Sequence, residues 1–250
     1  MYGPDTRQAA LTALAQGRTL SDVGRELLVS RATLREWRAR QGGYAPGQLA
    51  RTLCPRSRPL DEKDYAHLLG LYLGDGWLTA HPRDVYALRI SCDARYPNLI
   101  DECRGSMLSV LARRVCLVTA PGCVQVTAYS KHWPCLFPQH GPGHKHERPI
   151  VLEPWQREIV EQHPGRFVRG LIHSDGCRVT NRVARVVGGQ RRRYEYPRYF
   201  FTNASEDILE LAAWALDLLG VQHRRPTARN ISVARADSVA VLDQQVGPKS

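Results

Sequence analysis

Two aspartates carry the clearest chemical signal in the chain. Asp75 and Asp175 stand 100 residues apart, each directly before a glycine and each closing an apolar run. The first run is His67-Leu-Leu-Gly-Leu-Tyr-Leu-Gly-Asp-Gly76 and the second is Phe167-Val-Arg-Gly-Leu-Ile-His-Ser-Asp-Gly176, so that Gly70/Gly170, Leu71/Leu171, Asp75/Asp175 and Gly76/Gly176 match. Helices are expected over 65–76 and 165–176. Small residues four apart on each, Gly70 with Gly74 and Gly170 with Ser174, let two helix backbones approach closely. Gly76 and Gly176 are expected in the left-handed conformation that ends a helix. Each acid then sits in a last turn, where the macrodipole is already negative, and pairing the helices brings the two acids together. A divalent cation between them would remove both costs. A single Asp-Gly reads as a plain helix stop; two in register, with matching small residues, read as a metal site.

The elements that must position these acids repeat as well. Val85 to Cys92 alternates as a strand and Asn98 to Leu111 is helical; Tyr196 to Thr202 is a strand and Asp207 to Leu219 is helical. A further strand follows in each half, Val124 to Ala128 or Ile231 to Val233, then a short helix ending at Gly141-Pro142 or Gly247-Pro248. Both halves read helix, two strands, helix, two strands, helix. The expected fold class is α+β: a pseudo-twofold pair of αββαββα units over 61–150 and 151–250, behind a helical domain over 1–42 and a linker over 43–60 rich in Gly, Pro and Arg.

The N-terminal segment 6–39 reads as three helices. The first carries Ala9, Leu11 and Leu14 and ends near Gly17. Ser21 is expected to cap the second, with Val23, Leu27 and Leu28 on its apolar side; Ser30 caps the third, with Leu34 and Trp37 facing inward.

The partner is indicated by charge. The formal net charge is +11 and the pI about 9.6, which points to a polyanion. Only four of the 35 basic residues are lysines, Lys63, Lys131, Lys145 and Lys249; a GC-rich genome explains arginine over lysine but not the surplus of positive charge. Arg178, Arg182, Arg185, Arg191, Arg192, Arg193 and Arg198 fall on a hairpin around Gly188-Gly189, interleaved with Tyr194, Tyr196 and Tyr199. Such a β-ribbon fits a major groove, where Arg reads guanine and contacts phosphate. There is no secretory signal or membrane-length apolar run, so a cytoplasmic, nucleoid-associated protein is expected. The seven cysteines form no Cys-x-x-Cys pair and are expected as reduced thiols. The run His140 to His146 holds three histidines in a Gly/Pro loop; zinc is one reading, and a surface loop joining the halves is the preferred one.

The two apolar runs resemble the LAGLIDADG motifs of homing endonucleases in their single-chain, two-motif form, over residues 61 to 249. The stretch Tyr129 to Arg148, with Ser-Lys-His-Trp-Pro-Cys-Leu-Phe-Pro-Gln-His-Gly-Pro-Gly, is similar to actinobacterial LAGLIDADG proteins with N-terminal helix-turn-helix domains. The segment Thr19 to Trp37 resembles helix-turn-helix modules of recombinases and regulators. There Gly24 lets the third helix cross the second, and Leu28 departs from the glycine usual at a left-handed turn. The resemblance implies motif helices packed at the pseudo-twofold axis and two curved sheets straddling double-stranded DNA. It implies Mg2+ held at scissile phosphates by the acid before each final glycine, which here is Asp75 and Asp175. Leu73 and His173 depart from the polar or acidic residue common in the family, so coordination falls to those two acids alone. A basic residue near the site falls to Lys131 in the first half and Arg235 in the second. Arg31, Thr33, Arg35 and Arg38 fall in or near a recognition helix.

The expected activity is sequence-specific, Mg2+-dependent hydrolysis of DNA phosphodiesters by a monomer at an asymmetric site. The alternatives are a transcriptional regulator that keeps the scaffold without cleavage and an accessory protein that bends DNA.

Overall fold

A computed structural model of the chain describes residues 4–41 and 59–250, and the chain divides into two units, 1–53 and 54–250. The expected linker lies outside the described residues as far as 58.

Among its described residues the first unit holds three helices, α1 (Pro4–Ala15), α2 (Leu20–Glu26) and α3 (Arg31–Gln41). They enclose a core of Ala10, Leu11, Leu14, Val23, Val29, Leu34 and Trp37. The cap of α2 is Thr19 rather than Ser21: its side chain accepts the Asp22 N–H at 3.2 Å, and Ser21 is already inside the helix. Ser30 accepts the Thr33 N–H at the start of α3. Leu28 is not on the apolar side. It is 83% exposed with φ +52, in the left-handed turn itself, because the chain must reverse there to bring α3 back onto α2. A Cβ at Gly24 would lie 2.9 Å from the Val29 carbonyl oxygen, so only glycine permits this crossing.

The second unit is a mixed α+β structure with two four-stranded antiparallel sheets. Its first half runs α4 (Glu62–Asp75), β1 (Gly76–His81), β2 (Val85–Asp93), α5 (Pro97–Val110), β3 (Val115–Ala120), β4 (Cys123–Ser130) and α6 (Trp133–Leu136). An intervening helix α7 (Pro154–Gln162) precedes α8 (Pro164–Asp175), β5 (Gly176–Val187), β6 (Gln190–Thr202), α9 (Glu206–Leu218), β7 (Arg224–Thr227), β8 (Asn230–Val233) and α10 (Ala236–Gln245). The sheets are ordered β1-β2-β4-β3 and β5-β6-β8-β7, the same arrangement twice. In each, one face packs on helices and the other is open. Alternation along β1 shows it: Leu78 is buried while Trp77 is exposed. α4 and α8 cross at the centre of one continuous core that includes Tyr65, Leu68, Leu71, Phe167, Val168 and Leu171.

Two local expectations are corrected. Gly76 (φ −98, ψ 152) and Gly176 (φ −113, ψ 171) are extended, not left-handed. Each motif helix passes directly into a strand, and glycine is needed because a Cβ would lie 2.6 Å from the Tyr72 Cα or 2.7 Å from the Ile172 Cα. The short helix expected to end at Gly141 stops at Leu136; Phe137 precedes Pro138, whose ring disfavours helical geometry in the residue before it.

Candidate functional site

The two acids meet because the two motif helices approach to backbone contact. A Cβ at Gly70 would lie 2.4 Å from the Phe167 carbonyl oxygen, and one at Gly170 would lie 2.3 Å from that of His67. A Cβ at Gly74 would collide with the Ser174 side chain, and the Ser174 hydroxyl turns back to donate to the Gly170 and Leu171 carbonyls. Nothing larger than these four residues fits, so the ends of α4 and α8 arrive side by side. Asp75 and Asp175 line one cleft of about 710 Å3, together with Trp77, Lys145, Asn203 and Arg229.

The electrostatics there are unfavourable for the acids. Burial, then the charge of Asp175, pushes the Asp75 carboxyl up to about 6. Burial also raises Asp175, against the opposing effect of Asn203, whose Nδ2 donates to Asp175 Oδ2 at 2.7 Å. No described residue donates a hydrogen bond to Asp75; its ionised form is favoured only by the charges of Lys145 and Lys249.

Those two lysines occupy equivalent places and are the residues that sequence reasoning missed. Lys145 Nζ donates to the carbonyls of Tyr72, Leu73 and Gly74, the last at 2.9 Å. Lys249 Nζ donates to the Gly176 carbonyl at 2.6 Å and lies 3.4 Å from that of Ser174. Each ammonium therefore closes the C-terminus of one motif helix and offsets its macrodipole. Burial lowers Lys145 to about 8, despite the nearby acids, and lowers Lys249 as well. Lys145 is carried by the His140–His146 run, which folds over the acids and lines their cleft instead of only bridging the halves. Lys131 is exposed in the turn after β4 and does not line that cleft. Arg235 precedes α10, paired with Asp237 and donating to Gln222.

Register divides the hairpin arginines. Tyr199 and Phe201 are buried against helices, so their pairing partners and alternate neighbours share that face. Arg178 (paired with Tyr199), Arg182, Arg191 and Arg193 fall on it, whereas Arg192 and Arg198 fall on the open face with Val179, Tyr194 and Tyr196. Arg185 pairs with Arg192 in the register. Arg178 is held by Asp243 on α10 at 2.7 Å, and Arg182 by Glu195 at 3.0 Å. Arg198 lies over the Phe200 ring and donates to Ser232. With Tyr194, Tyr196, Arg224 and Arg235 it lines an open-face cleft of about 780 Å3. The first sheet's open face differs: Arg89, bonded to Thr79, stands among Trp77, Tyr129 and His81. In the first unit Arg31, Arg35 and Arg38 are exposed on α3, while Thr33 is half-buried with its hydroxyl against that of Ser30.

Among the described residues, two groups have the donor sets of cation sites: the Asp75/Asp175 pair, all oxygen, and a trio of buried His67, half-buried Glu102 and buried His173. No described helix is long and apolar enough to cross a membrane.

No protein-family model matches the chain, and no curated protein matches it. Among solved structures, the chain is similar to the N-terminal LAGLIDADG domain of DUF199/WhiA, with 15% identity, a TM-score of 0.43, and 76% of this chain and 83% of that one covered. It is similar to the LAGLIDADG meganuclease I-AabMI bound to uncleaved DNA, with 12% identity, a TM-score of 0.47, and coverage of 72% and 82%. A third is the homing endonuclease I-WcaI bound to its DNA recognition sequence, with 11% identity, a TM-score of 0.48, and coverage of 77% and 84%.

Proposed function

We propose that the chain binds double-stranded DNA across the open faces of its two sheets and hydrolyses phosphodiesters at the Asp75/Asp175 cleft with Mg2+. The observation that carries this reading is the acid pair itself: two partly buried carboxylates at two helix C-termini, raised by burial, with Asp75 lacking any hydrogen bond among the described residues. An arrangement that costs stability and recurs in both halves is a functional one more often than a structural one. The pair fits Mg2+, because the cation prefers oxygen ligands and keeps waters that phosphate oxygens can replace. Asp75 and Asp175 would hold it. When bound, the cation supplies Lewis-acid polarisation of the phosphate and a more acidic water.

The chain's own residues do the rest. Asn203 orients Asp175. Lys145 and Lys249 hold the helix ends in place and present positive charge beside the acids. The role expected of Lys131 passes to Lys145. Arg192, Arg198 and Arg224 contact phosphates or base edges on the second sheet, and the chemically different first sheet makes the target asymmetric. The first unit extends the footprint through Arg31, Arg35 and Arg38 as a helix-turn-helix, and one monomer supplies both acids.

The test is cleavage of the protein's own selected binding site with Mg2+ or Mn2+. Asp75→Asn and Asp175→Asn should each abolish double-strand cutting while DNA affinity stays within about threefold. Full cutting by the double variant would refute the site. One observation favours the regulator reading: Lys145 and Lys249 stand beside the two acids and favour their ionised form without a cation. Tight, sequence-specific binding without any cutting under either metal would establish that reading instead.

A further inference from the structure

Three further side chains meet at the junction of α4, α5 and α8. His67 comes from the first motif helix, Glu102 from α5 and His173 from the second motif helix. His67 Nε2 lies 3.8 Å from Glu102 Oε2, and His173 Nδ1 lies 4.0 Å from the same oxygen. Neither distance is a hydrogen bond. His67 is fully buried; its Nδ1 meets the Ser106 hydroxyl at 2.9 Å, but its Nε2 has no partner. His173 is also buried, and neither ring nitrogen makes a hydrogen bond of good geometry, although the Gly247 backbone lies near enough to influence it. Buried imidazole nitrogens aimed at a carboxylate beyond hydrogen-bond reach are out of place in a satisfied core.

We propose that His67, Glu102 and His173 form a transition-metal site, matched to Zn2+, that clamps the two halves of the 54–250 unit together. Two imidazoles and one carboxylate are a recognised zinc donor set that leaves a fourth position for water. The ligand atoms all lie within 4.8 Å of one another. Tetrahedral zinc with bonds of about 2.0–2.1 Å sets its ligands about 3.3 Å apart, so shifts of roughly half an ångström close the site. Unprotonated imidazole is the ligating form, and the rings of His67 and His173 are both buried. Glu102 Oε1 accepts from Arg166 and Arg169, and Oε2 accepts from Nε and Nη2 of Arg169, so an ion at Oε2 takes the place of the Arg169 contact while Arg166 keeps hold of Oε1. His173 borders a cleft of about 290 Å3 that also reaches Asp75, Lys249 and Asp93. Mg2+ has little affinity for imidazole, so the two candidate sites select different ions.

The inference does not rest on cleavage. The experiment loads the purified full chain with Co2+ as a probe for Zn2+, because tetrahedral Co2+ with nitrogen ligands absorbs strongly in the visible and octahedral all-oxygen Co2+ does not. The expected result is one strongly absorbing Co2+ per chain, displaced by Zn2+. His67→Gln should weaken it at least about 100-fold. The Asp75→Asn/Asp175→Asn and His144→Gln/His146→Gln variants should keep it. Loss of the band in either double variant, with retention in His67→Gln, would move the ion elsewhere and overturn the proposal, as would the absence of any band in folded wild type. Should His67→Gln not fold, the wild type decides. Zn2+ at 100 times its Kd should raise the melting temperature by about 5–10 °C, reversibly by chelator, and equally in the Asp75→Asn/Asp175→Asn variant. No shift in either overturns the site.

Discussion

Replacing Asp75 by Asn should make the metal-free protein more stable at neutral pH, and the size of the gain follows from the cleft. The folded-state pKa of Asp75 is raised from 3.8 to about 6. The folded state therefore holds this proton more tightly than the unfolded chain does. Its contribution to stability is fully present below about pH 3.8 and is lost as pH rises through 6. Two pKa units correspond to about 3 kcal/mol as an upper bound, and water in the open cleft reduces this to about 1–3 kcal/mol. Asn keeps the shape and does not ionise. For a unit of this size the gain is a rise of about 2–10 °C in melting temperature at pH 7.5. The assay is a series of thermal melts from pH 4 to 8 with chelator, repeated with Mg2+. The gap between variant and wild type should be near zero at pH 4 and open fully by pH 7. Mg2+ should stabilise wild type and leave Asp75→Asn unchanged. An Asp75→Asn protein that is less stable than wild type at pH 7.5, or a gap independent of pH, would show that the acid is satisfied and the reasoning wrong.

Gly70→Ala forces a methyl group against the Phe167 carbonyl and should cost about 2–4 kcal/mol in urea denaturation; Gly105→Ala, on α5 with open space around it, should instead gain about 0.5–1 kcal/mol. Lys145→Met takes the ammonium from three helix-end carbonyls, of which that of Tyr72 keeps the Gly76 N–H, and should cost about 1–3 kcal/mol, whereas Lys131→Met, at an exposed turn, should stay within about 0.5 kcal/mol. In salt titrations of DNA binding, Arg198→Ala or Arg192→Ala should each lower the slope of log affinity against log salt by about one. Arg178→Ala, whose partner is Asp243, should leave that slope unchanged and lower thermal stability. Removing residues 1–58 should make the slope shallower and shorten the footprint at one end; an unchanged slope would mean that the first unit does not touch DNA.

What could be read in the sequence was what is local. The motif helices, β2, β4, β8, α5 and α9 announce themselves through apolar periods within one element, and the repeat of Asp75 in Asp175 survives because both halves face the same backbone approach. Facing is less legible. The hairpin arginines look like one basic cluster along the chain, yet pairing of Tyr199 with Arg178 and of Tyr194 with Val183 sends Arg178 toward α10 and Arg198 to the open sheet, a division that follows from the strands' two-residue period once one buried residue is known. Leu28 shows the reverse case: its turn position was legible, but its apolar side chain suggested burial that a left-handed residue between two helices cannot have. Contacts across long separations were not legible from spacing at all. Nothing in the interval between Tyr72 and Lys145, or between His67 and His173, marks them as neighbours.

One signal for the missed lysines was nevertheless present. In a chain with 35 basic residues and only four lysines, each lysine is an exception to a strong preference for arginine. Two of the four stand at the ends of the motif helices. A compact ammonium can donate to three converging carbonyls and can lose part of its affinity for a proton on burial, as Lys145 does; a planar guanidinium does neither. Where composition drives nearly every cation to arginine, a kept lysine is worth asking about, and at two of the four, Lys145 and Lys249, the geometry of the ammonium is in use, whereas Lys63 and Lys131 are exposed. Composition therefore marks all four lysines alike, and it is the carbonyls of the two helix ends, which no spacing in the chain reveals, that bring Lys145 and Lys249 beside Asp75 and Asp175.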